Sequence, residues 1–215
     1  MATRGRPRAF DRDAALRTAM KLFWRRGYEG VSVAMLTQEL GITPTSLYAA
    51  FGSKNELFDE AIELYDAPGT TPTDHALALT PTRTAIEALL RGNADAYTDP
   101  TTPPGCMIVL SALNLGAAHD DVGRALAERR NRDRAKIEAR IERGIADGDV
   151  PAGLDAAGAA LYVQTVLHGI SIQARDGCTR TQAHTIVDAA MGSWDALVTQ
   201  PGLRPSGATS AHRGA

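Results

Sequence analysis

Ser32-Val33-Ala34-Met35-Leu36-Thr37-Gln38-Glu39-Leu40-Gly41-Ile42-Thr43-Pro44-Thr45-Ser46-Leu47-Tyr48-Ala49-Ala50-Phe51-Gly52-Ser53-Lys54 is the stretch that decides the fold of this 215-residue chain. Ser32 is placed to cap one short helix, Gly41 to end it in the left-handed conformation, and Thr43-Pro44 to cap and open a second. The second helix begins almost where the first stops, which is the spacing of a helix-turn-helix. Val33, Leu36 and Leu40 face one way, and Ile42, Leu47 and Phe51 can close onto them. Thr43, Thr45, Ser46 and Tyr48 are left without a core role. That polar, short-side-chain face is free to enter a DNA major groove.

Working outward, a helix is expected from Arg12 to Arg26, capped by Asp11, stapled by Phe10 and stopped by Gly27, with Leu16, Ala19, Met20 and Phe23 on its buried face. Ser53-Lys54-Asn55-Glu56 is a capping box that opens a further helix to about Asp66. Its first turn offers free amides and Lys54 to a phosphate. Residues 1–30 hold eight basic and three acidic side chains, a net of +5 inside a chain whose total is −2. The basic end is therefore the nucleic-acid end. Residues 1–9 are expected to be disordered without a partner. They contain Arg4-Gly5-Arg6-Pro7-Arg8, which is similar to the core of an AT-hook, an extended strip that lies in a narrow A/T-rich minor groove. A solvated basic tail is the alternative reading of the same residues.

A Pro-, Thr- and Gly-rich loop over residues 67–79 places a domain boundary near Pro68. Beyond it, helices are expected from Thr80-Pro81 to Thr98, from Gly105 to Leu115, from Asp120 to Asp147, from Asp155 to Arg175 and from Thr179 to Val198. The division is a basic arm over 1–9, a helix-turn-helix domain over 10–67, a helical domain over 80–198 and a disordered tail over 199–215. No strand signal, internal repeat or coiled-coil heptad run is present, so the fold class is all-α with about nine helices. Val122, Leu126, Ile137, Ile141 and Ile145 form one stripe, interrupted at Arg129, Arg130 and Asp133. Within it, Arg130 and Asp133 are expected to turn towards water, or else inward to the space between the C-terminal helices.

No apolar run approaches the roughly 20 residues that span a bilayer, and the basic N-terminus leads into an amphipathic helix instead of a signal-peptide core, so a cytoplasmic location without membrane contact is expected. Cys106 and Cys178 lie far apart without metal-type spacing and read as free thiols, with a redox-sensing Cys106 as the sharper alternative. An enzyme finds little support, since no phosphate-cradling glycine motif, nucleophile elbow or metal-ligand cluster occurs. His119, Asp120 and Asp121 are more simply a helix cap with its first-turn acids. No cofactor is expected.

Gly27-Tyr28-Glu29-Gly30, Gly41-Ile42-Thr43, Leu47-Tyr48-Ala49-Ala50-Phe51-Gly52-Ser53-Lys54 and Leu57, in this order, resemble the tetracycline-repressor (TetR) family of bacterial transcriptional regulators over about residues 10–60. The resemblance implies a three-helix DNA-binding domain joined by a fourth helix to an all-helical ligand-binding and dimerisation domain. It also implies a repressor that binds a pseudo-palindromic double-stranded DNA operator as a homodimer and is released by a small-molecule effector of unknown identity. By position, Thr43, Thr45, Ser46, Tyr48 and Lys54 become the DNA-facing set, with Ser32 beside them. Ala49 and Ala50 stand where many members carry larger side chains, and Thr37 replaces a small alanine. In the C-terminal half the likeness is loose and rests on Gly105-Cys106 and Leu167-His168-Gly169-Ile170. A helical small-molecule-binding or interaction protein without sequence-specific DNA binding is the alternative class.

Two expectations concern the C-terminal half. The last two helices, apolar and rich in small residues, are expected to form the dimer interface through Gly158, Ala159, Gly169, Ala189, Ala190 and Gly192, with Trp194 and Leu197 adding contact area, or else to pack inside one subunit. Leu89, Met107 and Leu110, with Asn93, Tyr97, Asn114, Gln164 and His168 as polar groups, are expected to line an effector pocket. Ordinary helix–helix hydrogen bonding would account for the same polar residues.

Overall fold

A computed structural model of the chain describes residues 11–199 apart from 68, 70, 113, 114, 117 and 118. Phe10, the arm, the Pro68 boundary, Asn114 and the tail beyond Thr199 therefore lie outside the described residues. These form ten helices and no strand: α1 (Arg12–Arg26), α2 (Val33–Leu40), α3 (Pro44–Phe51), α4 (Lys54–Tyr65), α5 (Thr73–Leu77), α6 (Thr82–Tyr97), α7 (Met107–Leu110), α8 (Asp120–Asp147), α9 (Ala156–Arg175) and α10 (Arg180–Thr199). None of the described helices is long and apolar enough to cross a membrane.

The first three helices pack with α4 around aromatic rings. Phe23 meets Phe58 edge-on at 5.0 Å, Tyr28 meets Phe58 at 5.1 Å, and Leu36 and Leu47 are wholly buried beside them. Such pairs add roughly 0.5–1.5 kcal/mol beyond their area burial and fix the angle between α1 and α4. In the C-terminal domain α6 packs on α9 and α10, and α8 lies on α9. Between the two domains α7 touches α1, α4, α8 and α9.

Two expected elements differ. The loop over 67–79 contains α5, anchored by Ala76 and Leu77, which are buried against α6 and α8. Tertiary burial outweighs the Pro/Thr composition there. The helix expected to run to Leu115 is only the four residues of α7, all buried. Where every face is apolar, periodicity carries no mark of where a helix stops.

Arg140 is the largest charged side chain of the core, 1 % exposed. Its Nε and Nη2 donate to the Leu79 carbonyl at 3.1 and 2.9 Å, and its Nη1 donates to Thr82 Oγ1 at 2.7 Å. Asp149, 3.8 Å away, accepts from the Thr82 amide at 3.0 Å and from its hydroxyl at 2.5 Å. This network ties the start of α6 to α8 and to the loop after it. Removing the cation leaves the buried Leu79 carbonyl without its donors and Asp149 without its cation, so Arg140→Ala should lower unfolding free energy by about 3 kcal/mol. Arg140→Lys should recover little of it, because one ammonium cannot fork between Leu79 and Thr82. Urea midpoints of the three proteins check this.

Candidate nucleic-acid interface

The local sequence builds the helix pair as its caps require. Ser32 Oγ accepts from the Met35 amide at 3.2 Å, and Gly41 sits at φ +65° with its amide turned back to the end of α2. Thr43 Oγ1 accepts from the Ser46 amide at 3.1 Å, with Pro44 at the first helical position of α3. Leu36, Leu47 and Phe51 are buried where the two helices meet. That burial orients α3 so that Thr45, Ser46, Tyr48 and Ala49 are exposed, Tyr48 at 48 %. Of the sequence-predicted DNA-facing set, Thr43, Thr45, Ser46 and Tyr48 are thus exposed at the start and along α3, whereas Arg4, Arg6 and Arg8 lie outside the described residues. Within it Ser32 and Thr43 already use their oxygens as caps, so Thr45 and Tyr48 are the ones with polar ends directed to solvent.

Lys54 has a neighbour that the sequence did not reveal. Its Nζ lies 4.0 Å from the Tyr28 ring centroid, and partial burial moves its pKa down while Glu29 opposes that. The Tyr28 hydroxyl in turn meets Asn55 Oδ1, and its ring stands edge-on to His119 at 4.9 Å. Lys54 therefore lies at the joint between domains as well as at the start of α4. At the other end of α4 Trp24, an α1 residue off the core stripe, packs edge-on against Tyr65 at 4.8 Å and donates Nε1–H to the Gly105 carbonyl at 3.0 Å.

The C-terminal polar residues converge from five helices. Tyr97 is buried and its hydroxyl pairs with the Cys106 thiol, which also meets the Tyr65 hydroxyl. Burial pushes the thiol pKa up, against the Tyr65 hydroxyl, the amides of Val109 and Ile108, and the Tyr97 hydroxyl. Burial also raises both tyrosines well above their ordinary value, so all three groups stay protonated at neutral pH. Gln164 donates to the Arg130 carbonyl, and Arg130 donates to the Ile108 carbonyl at 3.2 Å. His168 is held towards its neutral form by burial and then by the charge of Arg130. Asn93 donates to the Leu89 carbonyl one turn back at 2.9 Å. Leu89, Met107 and Leu110 are packed core.

Asn93, Tyr97 and Gln164 thus have the internal partners that the helix–helix alternative required. The charged interruption of α8 does not simply turn to water as expected: Arg130 reaches inward to α7, and Arg129 pairs with Asp66 at 3.5 Å. A depression of about 390 Å³ lies elsewhere, lined by Phe51, Gly52 and the carboxylates of Glu56, Asp59, Glu60 and Glu63.

Of the residues expected at a dimer interface, Gly158 and Gly169 are exposed, whereas Ala190 and Trp194 are 4 % and 2 % exposed and belong to the subunit's own core. Alternate residues on the same two helices do face out. On α9 these are Leu161 at 51 %, Thr165, Gly169 and Ile172 at 39 %; on α10 they include Ala189, Gly192, Ser193 and Leu197. The charged side of α10 is turned the other way, with Asp188 paired to Arg91 at 2.6 Å and Asp195 to Arg83 at 2.7 Å on α6.

Comparison with known proteins agrees with this geometry. Residues 15–61 match the family described as "Bacterial regulatory proteins, tetR family", and residues 83–185 match the "Tetracyclin repressor-like, C-terminal domain". The chain is 30 % identical over 200 residues to the HTH-type transcriptional repressor ComR of Escherichia coli K12, covering 91 % of this chain and 94 % of that protein. It is 37 % identical over 124 residues to the repressor BdcR of the same organism, covering 57 % and 61 %. Among solved structures it is similar to a cysteine-substituted TetR family transcriptional regulator, CifR, in complex with 26-bp double-strand operator DNA. The identity is 42 %, the coverage 88 % of this chain and all of that one, and the TM-score 0.83.

Asp133 gives the site a pH signature. Burial and then the charge of Asp66 push its pKa up from 3.8 to about 6, against the pull of Lys136. The native state therefore keeps a proton that the unfolded chain has released, so stability should fall as pH rises between about 4 and 6. The side chain keeps 39 % of its surface exposed, which reduces the size of the effect. Asp133→Asn should raise the melting temperature at about pH 7.5 and leave it nearly unchanged at about pH 4. Thermal denaturation at the two pH values checks it; an equal shift at both would assign the gain to something other than titration.

Proposed function

The chain belongs to the tetR family of bacterial regulatory proteins, and we propose on that premise that it represses transcription by binding a pseudo-palindromic operator as a homodimer and leaves it when a small molecule occupies the C-terminal domain. The observation that carries the DNA-binding reading is the two-sidedness of α3: Leu47 and Phe51 are locked inside while Thr45, Ser46 and Tyr48 stand exposed on a helix capped at its start. A helix presented in this way fits the major groove, its hydroxyls reading base edges and its phenol holding phosphate. The relatives are regulators, not enzymes, and the reading involves no catalytic step.

One helix-turn-helix reads only a few base pairs, and a twofold partner places a second α3 about one turn of DNA, roughly 34–36 Å, away. The uncharged outward stripe of α9 and α10 supports that partner contact. Gly169 is open to solvent, with nothing within 4 Å of where a Cβ would stand, so two copies of α9 can approach closely there.

Release follows if the effector binds better to a conformation with α7 displaced than to the one described. α7 is the segment in contact with α1 and α4, and the Trp24–Gly105 and Tyr65–Cys106 contacts would carry its displacement to the DNA-binding domain.

The decisive experiment is selection of bound sequences from a random duplex pool, which should return an inverted repeat. No enrichment above the pool would overturn the reading. On the selected duplex, Thr45→Ala should relax base preference with the salt dependence intact, whereas Tyr48→Phe should weaken all sequences alike. Lys54→Ala should lower the slope of log affinity against log salt by about one if its ammonium reaches a phosphate. Gly169→Arg should give a folded monomer with poor operator affinity; a dimer by light scattering would remove α9 from the interface.

A further inference from the structure

Arg130 is a half-buried guanidinium without a counter-ion. Arg91, Arg129 and Arg140 of the same domain each have a carboxylate close by, at 2.6, 3.5 and 3.8 Å. Arg130 has none within 4 Å among the described residues, and the acceptor it does have is the Ile108 carbonyl, a dipole on α7. Burial lowers its pKa, with the Cys106 sulfur opposing this. A guanidinium keeps its proton regardless, so the shift marks a charge withdrawn from water and not neutralised. Beside it stands an imidazole in a similar condition. Gln164 donates to the Arg130 carbonyl, and Ser171 Oγ accepts from the Cys106 amide at 2.8 Å. His168 lies between these two residues on one face of α9, four positions from the first and three from the second, which sets its ring between Arg130 and the root of α7. It is half-buried, is kept neutral by burial and then by the Arg130 charge, and makes no hydrogen bond among the described residues. Polar groups taken out of water are normally partnered, and these two can donate to the same acceptor.

From this arrangement we infer that the effector is a small monocarboxylate with an apolar body, held by the Arg130 guanidinium and the His168 N–H, and that Arg130 gives up the Ile108 carbonyl to bind it. The inference rests on the reading of the C-terminal domain as the effector-binding part and names the ligand class for it. A carboxylate presents two oxygens and a full charge to a planar fork that the carbonyl engages through one nitrogen. The exchange therefore favours the ligand, and it breaks the tie by which α8 holds α7. One unit of positive charge matches a monoanion; His168, held neutral, supplies no second cation for a phosphate dianion. The neighbouring side chains are apolar, since α7 is Met-Ile-Val-Leu and Val163 and Leu167 adjoin the polar face of α9. An alkyl or aryl carboxylate answers to both the single charge and that lining.

The test uses the full chain, Arg130→Gln, Arg130→Lys and His168→Glu, each checked for a cooperative thermal transition. Hexanoate, octanoate, decanoate and benzoate are titrated calorimetrically, without DNA, against their methyl esters and inorganic phosphate. At least one acid should bind the full chain about tenfold or more tightly than its ester and than phosphate, and both Arg130 variants should lose about tenfold of that affinity, the lysine because it cannot fork. Equal binding of acid and ester, equal binding of phosphate, undiminished affinity in both Arg130 variants, or no binding of any acid would overturn the inference. On the selected operator the same acid should weaken binding, and His168→Glu, which brings a carboxylate of the chain itself to Arg130, should weaken it without ligand. In the Arg130→Gln background His168→Glu should cause no further loss; an equal loss in both backgrounds overturns the exchange at Ile108. Acid binding through Arg130 with operator affinity unchanged supports the site and removes the release reading. Failure to select any operator removes the DNA-binding reading, and the calorimetric comparison still decides the ligand class.

Discussion

The packing of both domains depends on a seven-residue constraint, the buried segment from Gly105 to Ser111. Four of its polar groups are met from helices on several sides, while the buried Ser111 hydroxyl has no partner among the described residues. Trp24 of α1 donates to the Gly105 carbonyl, Ser171 Oγ of α9 accepts from the Cys106 amide at 2.8 Å, and Arg130 of α8 donates to the Ile108 carbonyl. The Cys106 thiol is met by tyrosines of α4 and α6. At Gly105, φ is +78°, and a Cβ would stand 2.6 Å from the Ser171 carbonyl oxygen. Nothing larger fits without moving α9. A buried segment bonded to five helices cannot shift by degrees; it holds its place or several bonds break together. That is the mechanical property a relay between ligand and DNA needs.

Charge is distributed by the same logic. The fully desolvated cation, Arg140, is forked between a carbonyl and a hydroxyl with Asp149 beside it, because an unpaired buried charge would cost more than the domain's whole margin of stability. On α10 the carboxylates Asp188 and Asp195 are drawn towards arginines of α6, which leaves the opposite face of the helix uncharged. Surface pairs of this kind add little to stability. Their consequence is geometric: they set which side of α10 is left uncharged and exposed.

The DNA-binding half was legible in detail from sequence because its signals are local. Caps at Ser32, Thr43 and Ser53, the left-handed Gly41 and the proline opening α3 act within a single turn and were placed correctly without knowledge of the rest of the fold. The apolar pattern likewise identified Leu36, Leu47 and Phe51 as the contact between the helices. Lys54 was legible as a cation at the start of a helix, but its position over the Tyr28 ring depends on a packing angle that no local signal encodes.

In the C-terminal half, sequence determined the order of long helices and the class of the protein, since a period of 3.6 and matched motifs survive without knowledge of contacts. Tertiary structure alone decided which way their faces turn. Ala190 and Trp194 are as apolar as Leu161 and Ile172, yet the first two are inside the subunit and the last two outside. Helices apolar on nearly all sides have no preferred direction until their neighbours are placed. The same holds for Arg130 and Asp133, whose charges suggested solvent in isolation. In the fold Arg130 reaches α7 and binds a carbonyl, while Asp133 is partly buried near Asp66 and resists ionisation, because desolvation is a property of surroundings and not of residue type.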